Sequence, residues 1–279
     1  MFTFPLADKH VHPDCSTDAN GSVREFCEKA FELGLHEIMF TTHYEITPAG
    51  RERYGYIVLD GKREPANLDS VKRYIELVRA VGREFTAQGL LVRCGLEVGW
   101  DETIADQLAR ELPQLDLEFI IGSVHETDDI HIASSEAGPG YYQTHKIEDW
   151  LPRYFQMAEQ IAESGLFDVL GHLDVYKRHG LPVYGDVIKT AHRPYLGSLL
   201  TKMARYELGL EINTSGMRHG LGEYYPSMEI VNEARRAGVR IESLGSDAHA
   251  PEQLALDFEA ASQIAYELLP APLEDGYEY

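Results

Sequence analysis

Cysteine is scarce in this chain, and so is positive charge. There are three cysteines in 279 residues, Cys15, Cys27 and Cys94, and no C-x-x-C pair. That odd count argues against a disulfide framework and fits a reducing cytoplasm. Lys and Arg total 25 against 46 Asp and Glu, a net charge of −21. So anionic a chain repels nucleic acid, and an anionic ligand would need local cations or bound metal. No apolar run reaches the roughly 18–20 residues of a membrane span. The start, MFTFPLADKH, has neither the basic opening nor the apolar core of a signal peptide. A cytoplasmic protein with no nucleic-acid or membrane partner is expected; nothing in the sequence fixes an oligomeric state. Long linkers, low-complexity segments and fixed-period repeats are also missing. One domain over 1–269, followed by an acidic tail at 270–279, is the economical division.

What is present is a full core, 44% hydrophobic, cut into alternating segments. Strands are predicted at Thr3–Leu6, His36–Thr41, Leu90–Leu96, Phe119–Ser123, Asp168–Gly171, Gly209–Asn213 and Arg240–Gly245. Helices are predicted at Ser22–Leu33, Leu68–Gln88, Ile104–Glu111, Ile147–Ser164, His192–Leu208, Pro226–Ala237 and Pro251–Leu268. Ser22 and Glu25 have capping-box spacing, and Asn67 could cap the second helix. Gly34, Gly89, Gly165, Gly209 and Gly238 close helices just before the next strand. Seven β/α units predict a distorted (β/α)7 barrel, a single α/β domain related to the TIM barrel. Loops at Tyr44–Ala66, Glu126–Lys146 and Leu173–Lys189 follow strands and would rise over one barrel mouth.

Metal-binding side chains sit just past the apolar runs: His10-x-His12 with Asp18, then His43, Glu97, His125, His172 and Asp247-x-His249. A barrel gathers the carboxyl ends of its strands round one axis, so these nine acceptors would converge. Packed together and unpaired they would be costly, and metal ions are the simplest compensation. Imidazole with carboxylate suits Zn, Mn or Fe(II), and nine ligands suit two or three divalent ions, with Glu97 or Asp247 placed to bridge. Asp8 and Asp174 read as braces for imidazole N–H groups.

These motifs, with Ser123-Val-His125, Gly171-His172-Leu-Asp174 and Ser246-Asp247-Ala-His249, resemble those of the polymerase and histidinol phosphatase (PHP) superfamily over nearly the whole chain. The layout is most similar to its monofunctional histidinol-phosphate phosphatase branch. The resemblance implies a trinuclear centre: His10, His12, Glu97 and Asp247 on one ion, Glu97, His125 and His172 on a second, Asp18, His43 and His249 on a third. It implies hydrolysis of a small phosphate monoester, L-histidinol phosphate, by metal-activated water, with Glu97, Asp247 and Arg218 as catalytic residues.

Phosphate needs cations near the metals. Arg218, in the Asn213–Arg218 segment that also resembles the phosphatase branch, and Arg178 are candidates. Asn213, His179 and His219 are further candidate substrate contacts; Asn213 would otherwise brace its turn. Lys177 reads as a solvated surface charge. Tyr44, Tyr141, Tyr142, Tyr224 and Tyr225 read equally as pocket lining or core. Glu45, Glu126, Asp128 and Asp129 would give the mouth an acidic edge suited to an ammonium group. The leaving-group proton could come from Asp247 or a loop histidine. The alternatives are a PHP phosphoesterase acting on nucleotides or other phosphoesters, a metal-dependent amidohydrolase, or a metal-bound scaffold without catalysis.

Overall fold

The computed structural model describes residues 6–268. Seven parallel strands form one sheet in sequence order: β1 (Ala7–Val11), β2 (Glu37–Tyr44), β3 (Leu91–Gly99), β4 (Phe119–Ser123), β5 (Val169–Leu170), β6 (Gly209–Asn213) and β7 (Ile241–Gly245). The two edges meet, and the sheet curls into a nearly closed barrel. Val11 bridges Ala248 in parallel, His12 N–H donates to the Ala248 carbonyl at 2.8 Å, and Asp247 N–H donates to the His10 carbonyl at 2.9 Å. The expected seven-stranded α/β barrel is therefore the fold.

Helices pack round the barrel because their sequences carry an apolar stripe and defined ends. Val23–Leu33 starts at the Ser22/Glu25 capping box, with Ser22 N–H donating to Glu25 Oε2 at 2.7 Å, and stops at Gly34 with φ 73°. Leu68–Thr86 starts at Asn67, whose Oδ1 accepts from Asp69 and Ser70 N–H at 2.9 and 3.1 Å. The main core lies between these helices and the outer strand faces. A separate buried cluster, Met39, Phe119, Ile121 and Val169, comes from positions on β2, β4 and β5. Period-two alternation puts Met39 on the face of Thr41 and His43, and Ile121 on the face of Ser123. An apolar plug thus fills the barrel below a polar layer at the carboxyl ends.

Several boundaries differ from the sequence expectation. Of the first predicted strand, Thr3 to Pro5 lie outside the described residues, and the strand observed is Ala7–Val11, which contains His10. β2 and β3 run on through His43 and Glu97, which are register partners across the ladder. The last predicted helix is broken: Pro251–Gln253 is one 3-10 turn, and Phe258–Leu268 is a separate helix. Tertiary hydrogen bonds hold the break open, Ala255 N–H to Asp8 Oδ2 at 3.0 Å and Thr214 Oγ1 to the Leu256 carbonyl at 2.8 Å. The three long loops contain structure: the hairpin Tyr56–Leu59 with Lys62–Pro65, a two-residue ladder and helix Gly138–Thr144, and helices Lys177–Tyr184 and Val187–Thr190. The tail expected at 270–279 lies outside the described residues.

Gly95 sits in β3 opposite Phe119 of β4. A Cβ there would collide with the Phe119 carbonyl oxygen, a backbone atom that cannot swing away. Gly95→Ala is expected to lower unfolding stability by about 1–3 kcal/mol, measured by urea titration.

Candidate metal centre

The polar layer is built by strand alternation. Asp8, His10 and His12 share one face of β1 and its exit, His43 ends β2, and Glu97 stands across from it on β3. His125, His172, Asp247 and His249 sit on the turns just after β4, β5 and β7. Asp18 reaches in from the turn after β1.

Glu97 is the hub. Its Oε2 lies 3.3 Å from His10 Nε2, 3.4 Å from His12 Nε2 and 3.0 Å from His43 Nδ1. Its Oε1 lies 3.0 Å from His125 Nε2 and 2.7 Å from His172 Nε2, and accepts a hydrogen bond from Ser123 Oγ at 2.7 Å. Asp247 Oδ1 is 3.3 Å from His12 Nε2, 3.8 Å from His10 Nε2 and 3.5 Å from His249 Nδ1. Asp18 Oδ2 faces His43 Nε2 at 3.6 Å and His249 Nε2 at 3.7 Å. All nine acceptors picked from the sequence therefore lie in one basin.

Their surroundings fit divalent ions. His10 Nε2, His12 Nε2, His43 Nδ1 and Glu97 Oε2 are buried, converge, and have no hydrogen-bond partner. Each such atom costs about 1–3 kcal/mol if left unsatisfied. Ligand atoms round a tetrahedral ion with bonds of about 2.0–2.1 Å stand about 3.3 Å apart; the Glu97 and Asp247 spacings to His10 and His12 run from 3.3 to 3.8 Å. Donor atoms gather within 4.8 Å in four overlapping sets: His10, His12 and Asp247; His12, His43 and His249; His10, Glu97 and His172; His43, Glu45 and His125. His43 belongs to two of these, so its place is shared more widely than a division into three separate sites suggests.

Electrostatics keep the carboxylates ionised, while those same acids draw protons onto His10, His43 and His125, protons that a bound cation would displace. Burial disfavours charge on Glu97, but His125, His10 and His43 outweigh it and hold the carboxyl well below its usual range. Burial likewise opposes charge on Asp247, and His12, His10 and His249 hold it well below its usual value. Burial, with His43 and His249, holds His12 well below its ordinary pKa, which leaves the ring neutral and its lone pair free.

Two carboxylates that the sequence reading did not assign to this role aim the rings. Glu211 on β6 is fully buried. It accepts from His10 Nδ1 at 2.7 Å and from His172 N–H at 2.8 Å, tying together two strands of the site. Glu45 accepts from His125 Nδ1 at 2.5 Å; it is a buried ring brace, not part of an acidic edge. In both cases the outer nitrogen is engaged and Nε2 is turned toward Glu97. Asp8 and Asp174 do not brace imidazoles: Asp8 accepts backbone N–H groups of Ser246 at 2.9 Å and Ala255 at 3.0 Å, and Asp174 accepts from Ser227 N–H at 3.1 Å. Glu211 was detectable as an acidic letter inside the apolar run Gly-Leu-Glu-Ile-Asn of a buried strand.

Above the basin opens a cavity of about 890 Å³. Arg178, Arg218 and His219 line it, and so do Arg53, Arg63 and His131, for which the sequence held no signal. His131 stacks on His125 with ring centroids 5.3 Å apart. Arg178 Nη2 donates to Ser135 Oγ at 3.0 Å. Arg218 donates to the carbonyls of Ser246 at 3.1 Å and Asp247 at 2.8 Å, supporting Asp247 in the left-handed region at φ 53°. His179 turns away, toward the Ala133 carbonyl at 3.3 Å, and Asn213 braces its own turn by accepting from Ser215 N–H at 3.0 Å and Ser215 Oγ at 2.6 Å. None of Tyr44, Tyr141, Tyr142, Tyr224 and Tyr225 is among the lining residues. Lys177 is not solvated: it is 1% exposed and paired with Asp174 at 2.7 Å and Glu223 at 3.0 Å.

Residues 8–215 match the PHP domain family. The chain belongs to that family. It is 30% identical over 256 residues to a probable histidinol-phosphatase of Deinococcus radiodurans, covering 92% of this chain and 91% of that one. It is 27% identical to the histidinol-phosphatase of Bacillus subtilis, covering 91% and 97%. The barrel superposes with a TM-score of 0.77, at 23% identity over 94% and 93% of the two chains, on the histidinol phosphate phosphatase of Lactococcus lactis complexed with Zn, L-histidinol and phosphate.

Glu211→Ala and Glu45→Ala are each expected to weaken metal retention about 10–100-fold with the ligands untouched. Chelator competition followed by metal analysis reads this directly; unchanged retention would strip both residues of the bracing role.

Proposed function

We propose that the chain is a metal-dependent phosphatase that hydrolyses L-histidinol phosphate to L-histidinol and phosphate in histidine biosynthesis, in the cytoplasm. The observation that carries the reading is the basin itself: buried, unpartnered imidazole and carboxylate atoms round Glu97, opening into a cavity walled by arginines. Relatives matched over nearly their full length bear the histidinol-phosphatase name. Two or three divalent ions, drawn from Zn, Mn and Fe, suit the nine acceptors, with His10, His12, Glu97 and Asp247 on one, Glu97, His125 and His172 on the next, and Asp18, His43 and His249 on the last.

Such ions, when bound, supply an acidified water and offset charge on the phosphoryl oxygens. The chain does the rest. Arg218 and Arg178 grip phosphoryl oxygens from the cavity wall, where among the described residues their hydrogen-bond partners are neutral acceptors. His219 is pushed down to about 3 by burial and by Arg178, so it stays neutral and is no acid at working pH. Asp247 is ionised at rest and touched by Ser215 Oγ at 3.3 Å, so a proton it passes to the leaving alkoxide must first be taken from the attacking water.

Phosphate release is to be followed from histidinol phosphate, a nucleoside monophosphate and phosphotyrosine after loading with Zn, Mn or Fe(II). A strong preference for histidinol phosphate is expected; a flat profile would reduce the assignment to a general phosphoesterase, and no release at all would remove it. Arg178→Ala should raise KM about tenfold at unchanged metal content, the loss of one charge-assisted contact of about 1.5 kcal/mol. Unchanged KM in that variant would take Arg178 off the substrate.

A further inference from the structure

Lys177 has no part in the chemistry above, yet burying a lysine is costly unless it is paired. Burial opposes its charge, and Asp174 and Glu223 overcome that and hold the ammonium ionised. Its two partners belong to different loops. Asp174 follows β5 by a few residues, in the Gly171-His172-Leu-Asp174 segment, and is itself fully buried. Glu223 lies on the loop between β6 and helix Met228–Arg236, with its side chain 30% exposed. The ammonium therefore stitches the loop that carries Arg178 to the loop that carries Arg218 and His219.

The stitch is continuous with those arginines. Arg178 is the next residue in the chain and belongs to the same helix, Lys177–Tyr184. On the other side, the Glu223 backbone packs directly on Gly216: any Cβ at Gly216 would collide with the Glu223 carbonyl. Gly216 lies in the single helical turn Ser215–Arg218, whose last residue is Arg218. Two more ties fasten the same loop, the Asn213–Tyr225 bridge, with hydrogen bonds of 2.6 and 2.9 Å, and Ser227 N–H on Asp174 at 3.1 Å. The first of these ties the loop to its own strand; among the described residues the hydrogen bonds that reach the opposite loop run through Asp174 and Lys177, and of these Lys177–Glu223 lies nearer in sequence to Arg218.

We propose that Lys177, by clamping Glu223 to Asp174, is a positioning residue that sets the separation of Arg178 and Arg218 across the cavity, and with it the affinity for the phosphoryl group. The inference rests on the reading of those arginines as phosphate ligands. It assigns Lys177 no contact with substrate or metal.

The test uses metal-loaded full-length protein, with inorganic phosphate as the titrated ligand and histidinol phosphate as substrate. Glu223→Ala opens the clamp from its solvent-facing side and leaves Lys177 paired with Asp174, so the fold keeps its buried ion pair. Misplacing a binding group by about 1 Å can cost up to about 100-fold; the expected result is about a tenfold weaker phosphate affinity and a matching rise in KM, with kcat within about twofold and metal content unchanged. Glu223→Gln still accepts the lysine hydrogen bond and should restore most of the affinity. Combined with Arg178→Ala, Glu223→Ala should cost less than the product of the two single effects, because both act through one contact. Unaltered phosphate affinity in Glu223→Ala, or a loss that appears equally in kcat and metal content, would overturn the inference. Wild-type protein that holds metal but binds no phosphate would instead overturn the functional reading beneath it.

Discussion

One buried carboxylate organises this molecule. Glu97 is held in a basin with five imidazole nitrogens within 3.4 Å of its two oxygens. Its charge survives burial because the imidazoles of His10, His43 and His125 face it from β1, β2 and the exit of β4. That requirement reaches back into the fold. Strands far apart in sequence must deliver their carboxyl ends to one axis, the barrel must close between β1 and β7, and the space beneath must be filled by an apolar plug. Gly95 and Gly245 serve the same demand: the first lets β3 approach β4, and the second leaves room for His10 and Glu211. A barrel whose centre holds so many acceptors gains little stability there; its stability comes from the helices packed outside.

Part of this was legible in the letters. The alternation of apolar runs with amphipathic, glycine-terminated helices is enough for a seven-unit barrel, since each unit must bury its faces against its neighbours. The acceptors stood out because each follows an apolar run. The same polarity blurred the boundaries: Ala7–Val11 reads Ala-Asp-Lys-His-Val, a strand disguised by the polar face it turns inward. β2 and β3 seemed to stop short because their ends carry His43 and Glu97, although both remain in the ladder as partners. Local propensity could not foresee the break at 254–257, which depends on Asp8, some 247 residues away.

The residues that escaped notice share a cause. Lys177 looks like surface because its second partner, Glu223, lies 46 residues on. Glu45 looks like a loop acid because its partner is His125, 80 residues on. Arg53 and Arg63 lie on or beside a hairpin and carry no spacing signal. Charge on a single residue says little about its solvation; its partner in space decides, and a one-dimensional pattern holds no record of that partner unless a motif fixes it.

Partner choice also separates the arginines of the cavity. Arg53 is paired with Glu136, which spends its charge on a protein carboxylate. Arg178 donates to a serine hydroxyl and Arg218 to two backbone carbonyls. Neutral acceptors orient a guanidinium without cancelling it, so these two keep nearly their full attraction for an incoming anion. In a chain of net charge −21 that distinction decides where an anion can settle. The surface repels it and the paired Arg53 holds it weakly; among the described residues Arg63 on the hairpin also lacks an acidic partner, but Arg178 and Arg218 are held in place by neutral acceptors, and their wall of the cavity is where a phosphoryl group would meet oriented, uncancelled positive charge.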